Sequence, residues 1–213
     1  MESKVREEIV RASLAMASRG WVANHDGNVS ARVASNRLVC TPTATAKARV
    51  RAQDLVVTDA SGKQISGRGK PFSEFALHLA IYKARADVGA VAHAHPPFAT
   101  ALGVSGRELL CFLPESVVSL GTRVPLVPLS APGAAAATAL KPFLEDFDAV
   151  LIAGNGVFTW GDDVEQAWLR LELVEHLATI AARASAWGGP QPLPQDLVEK
   201  LLEARKKAFP RRG

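Results

Sequence analysis

The side chains best suited to chemistry lie together at His93-Ala94-His95, closing the apolar run Val88-Gly89-Ala90-Val91-Ala92. If that run is a β-strand, its period of two puts both imidazoles on one face, with Cα atoms about 6.7 Å apart, close enough to share one divalent cation. Pro96-Pro97 follows and ends the strand, so the pair falls at a strand terminus, where sites in α/β folds collect. Two readings stand side by side: a chelating pair that needs further ligands, or two polar residues on a solvated strand face. Metal chemistry also needs a group that moves protons. Glu74 is the candidate, because it follows the glycine-rich stretch Gly67-Arg68-Gly69-Lys70-Pro71 in the first turn of an expected helix, where free backbone N–H groups favour a carboxylate. The competing reading makes it a helix-terminal acid that serves only the dipole. Gly27-Asn28-Val29-Ser30 and Thr41-Pro42-Thr43-Ala44 have the small polar composition of loops that hold an oxyanion, although turn chemistry explains Gly27-Asn28 equally well.

The elements that position these residues follow from periodicity. Val5, Ile9, Val10, Ala12, Leu14 and Met16 have helical spacing over residues 3–19, and Gly20 supplies a stop. Strands are expected at 30–33 and 38–41 around a Ser35-Asn36 turn, and at 55–58. Ser73 reads as the N-cap of a helix that ends near Arg85, with Phe75, Leu77, Leu79, Ala80 and Tyr82 on its apolar face. Beyond the histidine strand come a short helix opened by Pro96-Pro97, strands at 109–113 and 124–128, and an Ala-rich helix over 133–144. A buried strand at 149–153, a tight turn at Gly154-Asn155-Gly156, a strand at 157–159, a long helix over 163–186 and a final helix over 195–207 complete the chain. Strands interleaved with helices and hairpins predict an α/β layered fold that is not purely parallel.

With 213 residues, 48% hydrophobic and 22% charged, the chain can bury one sizeable core, and a single domain over 1–213 is the expectation. The net charge of +4 is concentrated in Arg205-Lys206-Lys207 and Arg211-Arg212, which reads as a solvated basic tail from about 205 and not as a nucleic-acid stripe. No apolar stretch reaches the roughly 18 residues of a membrane span, which points to a cytoplasmic protein. Cys40 and Cys111 are too few for a disulfide framework and are expected to be reduced.

Taken in order, Gly27-Asn28-Val29-Ser30, Thr41-Pro42-Thr43, Gly69-Lys70-Pro71-Phe72-Ser73-Glu74, His93-Ala94-His95-Pro96 and Gly156-Val157-Phe158-Thr159-Trp160-Gly161 before a long helix resemble the class II aldolase/adducin family over about residues 5–185. The resemblance implies a three-layer α/β/α sandwich around a mainly antiparallel sheet, assembled as a homotetramer with active sites near subunit interfaces. It also implies a Zn²⁺ ion, or another divalent ion, that holds the oxygens of a small carbonyl substrate. By position His93 and His95 match metal ligands and Glu74 a proton-moving glutamate that can also touch the metal. Asn28, Thr43 and Ser73 match the region that binds substrate phosphate.

Three departures stand out against that pattern. Asn155 occupies the place of a third histidine ligand, and a neutral amide oxygen is a weak ligand for zinc. Phe72 replaces a common serine and Ala44 a common glycine, changes that argue for a less charged or non-phosphorylated substrate. Tyr82, the only tyrosine, falls inside a helix, as do His78 and His176, which read as exposed or partly buried face residues; His25 lies in a loop beside Asn28. The expected activity is retro-aldol cleavage of a small hydroxycarbonyl compound, with His93, His95, Glu74 and Asn155 as the metal set and Glu74 as base. The alternative is an adducin-like binding or assembly protein that has lost a complete zinc site.

Overall fold

A computed structural model describes residues 2–131 and 133–210. The chain opens with helix α1 (Glu2–Ser18), hairpin β1 (Asn28–Ala34) and β2 (Arg37–Cys40), then β3 (Val56–Thr58) and β4 (Gln64–Ser66). Helix α2 (Phe75–Ala84) leads to β5 (Ala90–Ala94), α3 (Pro97–Val104), β6 (Leu109–Leu110), α4 (Pro114–Leu120), β7 (Arg123–Val124) and β8 (Leu126–Val127). Helix α5 (Ala134–Leu140), β9 (Ala149–Ile152), β10 (Gly156–Gly161), α6 (Val164–Ala184) and α7 (Gln195–Ala208) follow.

Eight strands form one sheet in the order β4-β3-β2-β1-β5-β10-β9-β8, antiparallel throughout except for the parallel β8–β9 pair. Its central strands are apolar on both faces because both faces are covered, whereas the edge strand β4 is exposed throughout. Val29, Ala31, Val39, Ala92, Leu151 and Val157 pack with α1, α3, α4 and α6, whereas Leu38, Cys40, Val91, Val150, Phe158 and Trp160 pack with α2 and α5. The alternation is the period of two seen from opposite sides, and it makes an α/β/α sandwich.

Several local expectations need correction. Helix α2 begins at Phe75 with Glu74 at the N-cap and no side-chain cap, so Ser73 is not the cap and Glu74 is not in the first helical turn. Helix α4 and the edge strand β4 were not expected, and residues 109–113 and 124–128 form only two-residue strands. Arg205 is no solvated tail residue. It donates to the carbonyls of Val118 and Ser119 and to the Asp148 carboxylate, while Lys206 stays 72% exposed. Arg211 and Arg212 lie outside the described residues.

Candidate active site

Strand register assembles the site. His93 on β5 faces Asn28 on β1 to one side and Phe158 on β10 to the other, so the three side chains form a row on the α2 side of the sheet. The Phe158 ring stacks on His93 at 3.9 Å between centroids and 14° between planes. The N-terminus of α2 then brings Glu74 over the row, and the turn between β9 and β10 brings Asn155. Glu74 Oε2 accepts from Asn28 Nδ2 at 3.0 Å and Oε1 accepts from Asn155 Nδ2 at 2.6 Å, while His93 Nε2 stands 3.3 Å from Oε2. His95 follows the end of β5, where its backbone N–H donates to the Trp21 carbonyl and its ring centroid lies 5.0 Å from that of His93.

Close approach explains the glycines on either side. Gly156 has φ +76°, and a Cβ there would lie 2.5 Å from the Ala94 carbonyl oxygen and 2.6 Å from His95 Cδ2. Gly27, at φ +72°, would place a Cβ 2.4 Å from Val22 Cγ1. Both turns depend on the absent side chain to reach the histidines.

The electrostatics single out Glu74. Burial by itself would raise its carboxyl group, but the adjacent His93 ring and the amide donors of Asn155 and Asn28 outweigh it and hold the group well below the usual carboxylate range. Glu74 therefore rests as an anion. His93 Nδ1 lies 2.9 Å from the Val157 carbonyl, an acceptor only, so that nitrogen carries a proton and donates it. Nε2 is then the ring nitrogen left to face Glu74, and the one through which a cation would be held. The Nε2 atoms of both His93 and His95 are buried without hydrogen-bond partners, as is Asn28 Oδ1. A cation suits these two nitrogens beside a carboxylate. Among the described residues, however, no group of three or more His, Cys, Asp or Glu side chains forms a ready metal cage.

Asn28, Glu74, His93 and Asn155 are thus in direct contact, with His95 beside them. Thr43 and Ser73 are exposed and stand outside this bonded set. Thr43 lines a cavity of about 610 Å³ with Thr45, Gln53 and Arg68, and its loop is tied to the glycine-rich stretch by Thr43 N–H donating to the Lys70 carbonyl at 2.9 Å. Phe72 does not enlarge an apolar pocket wall. Its ring is only 8% exposed and packs edge-on against Phe75 and His78. Ala44 adopts φ +52°, so the loop keeps the left-handed turn a glycine would supply, at a strain of about 1–2 kcal/mol. The Phe72 ring therefore adds no apolar bulk to the site, while phenylalanine still supplies no hydroxyl donor there.

Three contributors were missed. His78 is fully buried, not a face residue: its Nδ1 pairs with Ser30 Oγ at 2.7 Å, and Ser30 Oγ pairs with Tyr82 OH at 2.9 Å, beneath the Phe158 ring. Asp26 Oδ2 approaches His95 Nδ1 at 3.7 Å. Lys47, only 3% exposed, donates from Nζ to the carbonyls of His25 and Thr45 and so ties together the two polar loops; burial pushes its ammonium down to about 8. No local pattern flags such a lysine, since its partners are backbone carbonyls. The His25 ring is exposed, and His176 is exposed on α6.

Comparison with known proteins agrees with this architecture. A family model, the class II aldolase and adducin N-terminal domain, matches residues 7–182. A methylthioribulose-1-phosphate dehydratase of Methylococcus capsulatus is 33% identical over 188 residues, covering 83% of this chain and 92% of the relative. A 5-deoxy-D-ribulose 1-phosphate aldolase of Bacillus thuringiensis serovar kurstaki is 30% identical, covering 94% of each chain. Among solved structures, an L-fuculose 1-phosphate aldolase superposes with a TM-score of 0.88 at 26% identity over 97% of each chain.

Proposed function

Since the chain belongs to the class II aldolase and adducin family of lyases, we propose that it cleaves a small sugar-like hydroxyketone, a ketose phosphate by preference, through a retro-aldol reaction with Glu74 as the proton carrier. The observation that carries this reading is the pair of buried, unpartnered Nε2 atoms on His93 and His95 beside an ionised Glu74. A scaffold kept only for binding has no need of uncompensated polar atoms at such a point, each of which costs about 1–3 kcal/mol.

Glu74, His93 and His95 are the residues that would hold a divalent cation, zinc or another. Such an ion supplies stabilisation of the negative charge that develops on the substrate's carbonyl oxygen as the carbon–carbon bond breaks. The chain's own groups account for the proton. Cleavage removes one proton from the substrate's hydroxyl, releases an aldehyde, and leaves an electron pair that must be protonated at carbon. One carboxylate serves both transfers, and Glu74 starts in the form that accepts. The two amide donors that hold it also weaken it as a base, so proton transfer requires one of them to let go as substrate enters. Asn28, Thr43 and Ser73 are the residues assigned to the substrate's phosphate, in keeping with the substrates in the relatives' names. We include the homotetramer in this proposal, supported by Leu14, Phe98 and Leu169, which are 41–45% exposed on α1, α3 and α6. No described helix is long and apolar enough to cross a membrane.

The test is product analysis. Purified protein supplied with Zn²⁺, Mn²⁺ or Co²⁺ is incubated with 5-deoxy-D-ribulose 1-phosphate and with methylthioribulose 1-phosphate, and products are followed by NMR. Release of an aldehyde with a three-carbon ketone phosphate, abolished by chelator and by His93→Ala, is the expected result. Loss of water from either compound without carbon–carbon cleavage assigns the protein to dehydration instead, and no turnover of either, with no metal uptake, overturns the reading.

A further inference from the structure

We propose that Lys47 is a positioning residue for the phosphate-binding loops: from inside the fold it holds the segment that carries Thr43 against the segment that leads into Asn28. The inference rests on the functional reading above, in which Asn28, Thr43 and Ser73 receive the substrate's phosphate.

The loops need a tie because of where they start. Asn28 opens β1, Cys40 closes β2 and Ser30 pairs with Cys40, so residues 23–27 and 41–46 leave the same end of one hairpin. The hairpin bonds reach as far as Thr41, whose N–H donates to the Val29 carbonyl at 3.0 Å and whose Oγ1 accepts from the Val29 N–H at 3.3 Å. Beyond it the Thr43 segment turns to the glycine-rich stretch, where Thr43 N–H donates to the Lys70 carbonyl and Pro42 bridges to Pro71. Backbone thus joins the Thr43 segment to the approach to Ser73. Its junction with the approach to Asn28 is made by a side chain. Lys47 Nζ donates to the His25 carbonyl at 3.1 Å, just ahead of the Gly27-Asn28 turn, and to the Thr45 carbonyl at 2.8 Å, just after Thr43. Thr45 passes the restraint on: its Oγ1 donates to the Thr43 carbonyl at 3.2 Å, and it lines the same cavity as Thr43 and Arg68. Lysine is an unfavourable choice for a plug. It is among the residue types least often buried, and this one is enclosed against carbonyl oxygens, with Asp26 near enough to favour its charge. An aliphatic side chain would fill the space without desolvating an ammonium. It could not bind carbonyls of two different loops from one point, as rotatable N–H donors on a flexible stem do. Loops held at one separation keep the phosphate-competent arrangement populated, and apparent affinity scales with that population.

Lys47→Met keeps the stem and removes the ammonium. Its effect is read by calorimetric titration of inorganic phosphate into both proteins, with a chelator present so that no cation contributes. A loss of affinity of at least about fivefold is expected; a smaller change, or a parent that binds no phosphate, overturns the proposal. Hydrogen exchange followed by mass spectrometry separates a tie between loops from general support of the fold. Faster exchange confined to residues 22–28 and 41–48 is expected, whereas unchanged exchange there, or acceleration that extends into β9 and α6, overturns the proposal. With whichever sugar phosphate the parent cleaves, KM should rise in step with the phosphate constant while kcat stays within about threefold, and a fall in kcat at unchanged KM counts against a positioning role. A parent that binds phosphate but cleaves neither sugar phosphate defeats the retro-aldol reading, and the titration then decides the role of Lys47 by itself. Lys47→Gln, which keeps a polar group in the enclosed space, serves in the same measurements should the methionine variant not fold.

Discussion

The same secondary-structure elements carry a cluster of buried charge at each of their ends, and the two clusters are built on opposite plans. Helix α2 begins at Glu74 and closes with Arg85, while strand β9 is preceded by Asp148 and followed by the turn that holds Asn155. At the Asp148 end every formal charge meets its complement. Asp148 receives Arg85 at 2.9 Å, Arg170 at 3.4 Å and Arg205, and Arg85 further binds both oxygens of Asp87 and the carbonyls of Leu144 and Phe147. At the Glu74 end the carboxylate is gripped by two amides, yet two imidazole nitrogens and an amide oxygen remain without partners. The first arrangement spends nearly all its hydrogen-bonding capacity inside the protein and can only stabilise. The second holds capacity in reserve for something that arrives from outside.

Substitutions at the two ends should therefore fail in different currencies. Glu74→Gln keeps the shape and the possibility of hydrogen bonds but cannot carry a proton as a carboxylate does, so kcat should fall by about 10²–10⁴-fold. Its urea-unfolding free energy should fall by about 1–3 kcal/mol at neutral pH, because two amide donors lose the charged acceptor that holds the carboxyl group low. A large stability loss with modest loss of rate would erase the distinction. Asp148→Asn is the converse. Removing the shared carboxylate leaves three guanidinium groups around a neutral amide, with Asp87 still on Arg85, and a loss of about 3–5 kcal/mol is expected in equilibrium unfolding. The fraction that remains folded should turn over at close to the parent rate, measured at a temperature well below the new midpoint.

Legibility in the sequence follows the same divide. His93 and His95 announced themselves because a period-two run ended in two prolines, and Glu74 because a glycine-rich stretch preceded an amphipathic helix; the layered α/β class followed from strands interleaved with helices, and the sandwich from the family resemblance alone. What could not be read is everything decided by partners far along the chain. Ser73 has the right type for a cap, but the backbone turns one residue later because the Glu74 side chain is drawn to Asn28 and Asn155, 46 residues before and 81 after it. Arg205 looked like a member of a solvated basic end because Asp148, 57 residues away, gives no local signal. Phe72 looked like a pocket residue because its neighbours are, whereas the strand–helix packing sends its ring inward onto His78.

His78 supplies the gentlest way to sharpen the comparison, since it belongs to a third kind of buried cluster, polar but uncharged. Its ring is fully enclosed, with Ser30 Oγ on Nδ1 and no partner on Nε2. Burial foremost, and then the nearby His93, pushes it from 6.5 down to about 3. In the unfolded chain the imidazole takes up a proton below pH 6.5, whereas in the native protein it does so only near pH 3. Between those values the unfolded state binds more protons, and stability falls as the pH falls. The contribution is complete above pH 6.5 and disappears by about pH 3. His78→Gln retains an acceptor for Ser30 but has nothing to titrate, so it is less stable than the parent at pH 7 by the loss of packing alone. As pH is lowered from 7 to 4.5 the parent's advantage should shrink, by an amount on the order of 2 kcal/mol at the rate of 1.36 per pH unit. Urea unfolding of both proteins at the two pH values measures it: an advantage that stays constant would mean that the native ring takes up its proton as readily as the unfolded one, and an advantage that grows would mean that it is already charged at pH 7, either of which removes the neutral floor beneath the Glu74 site.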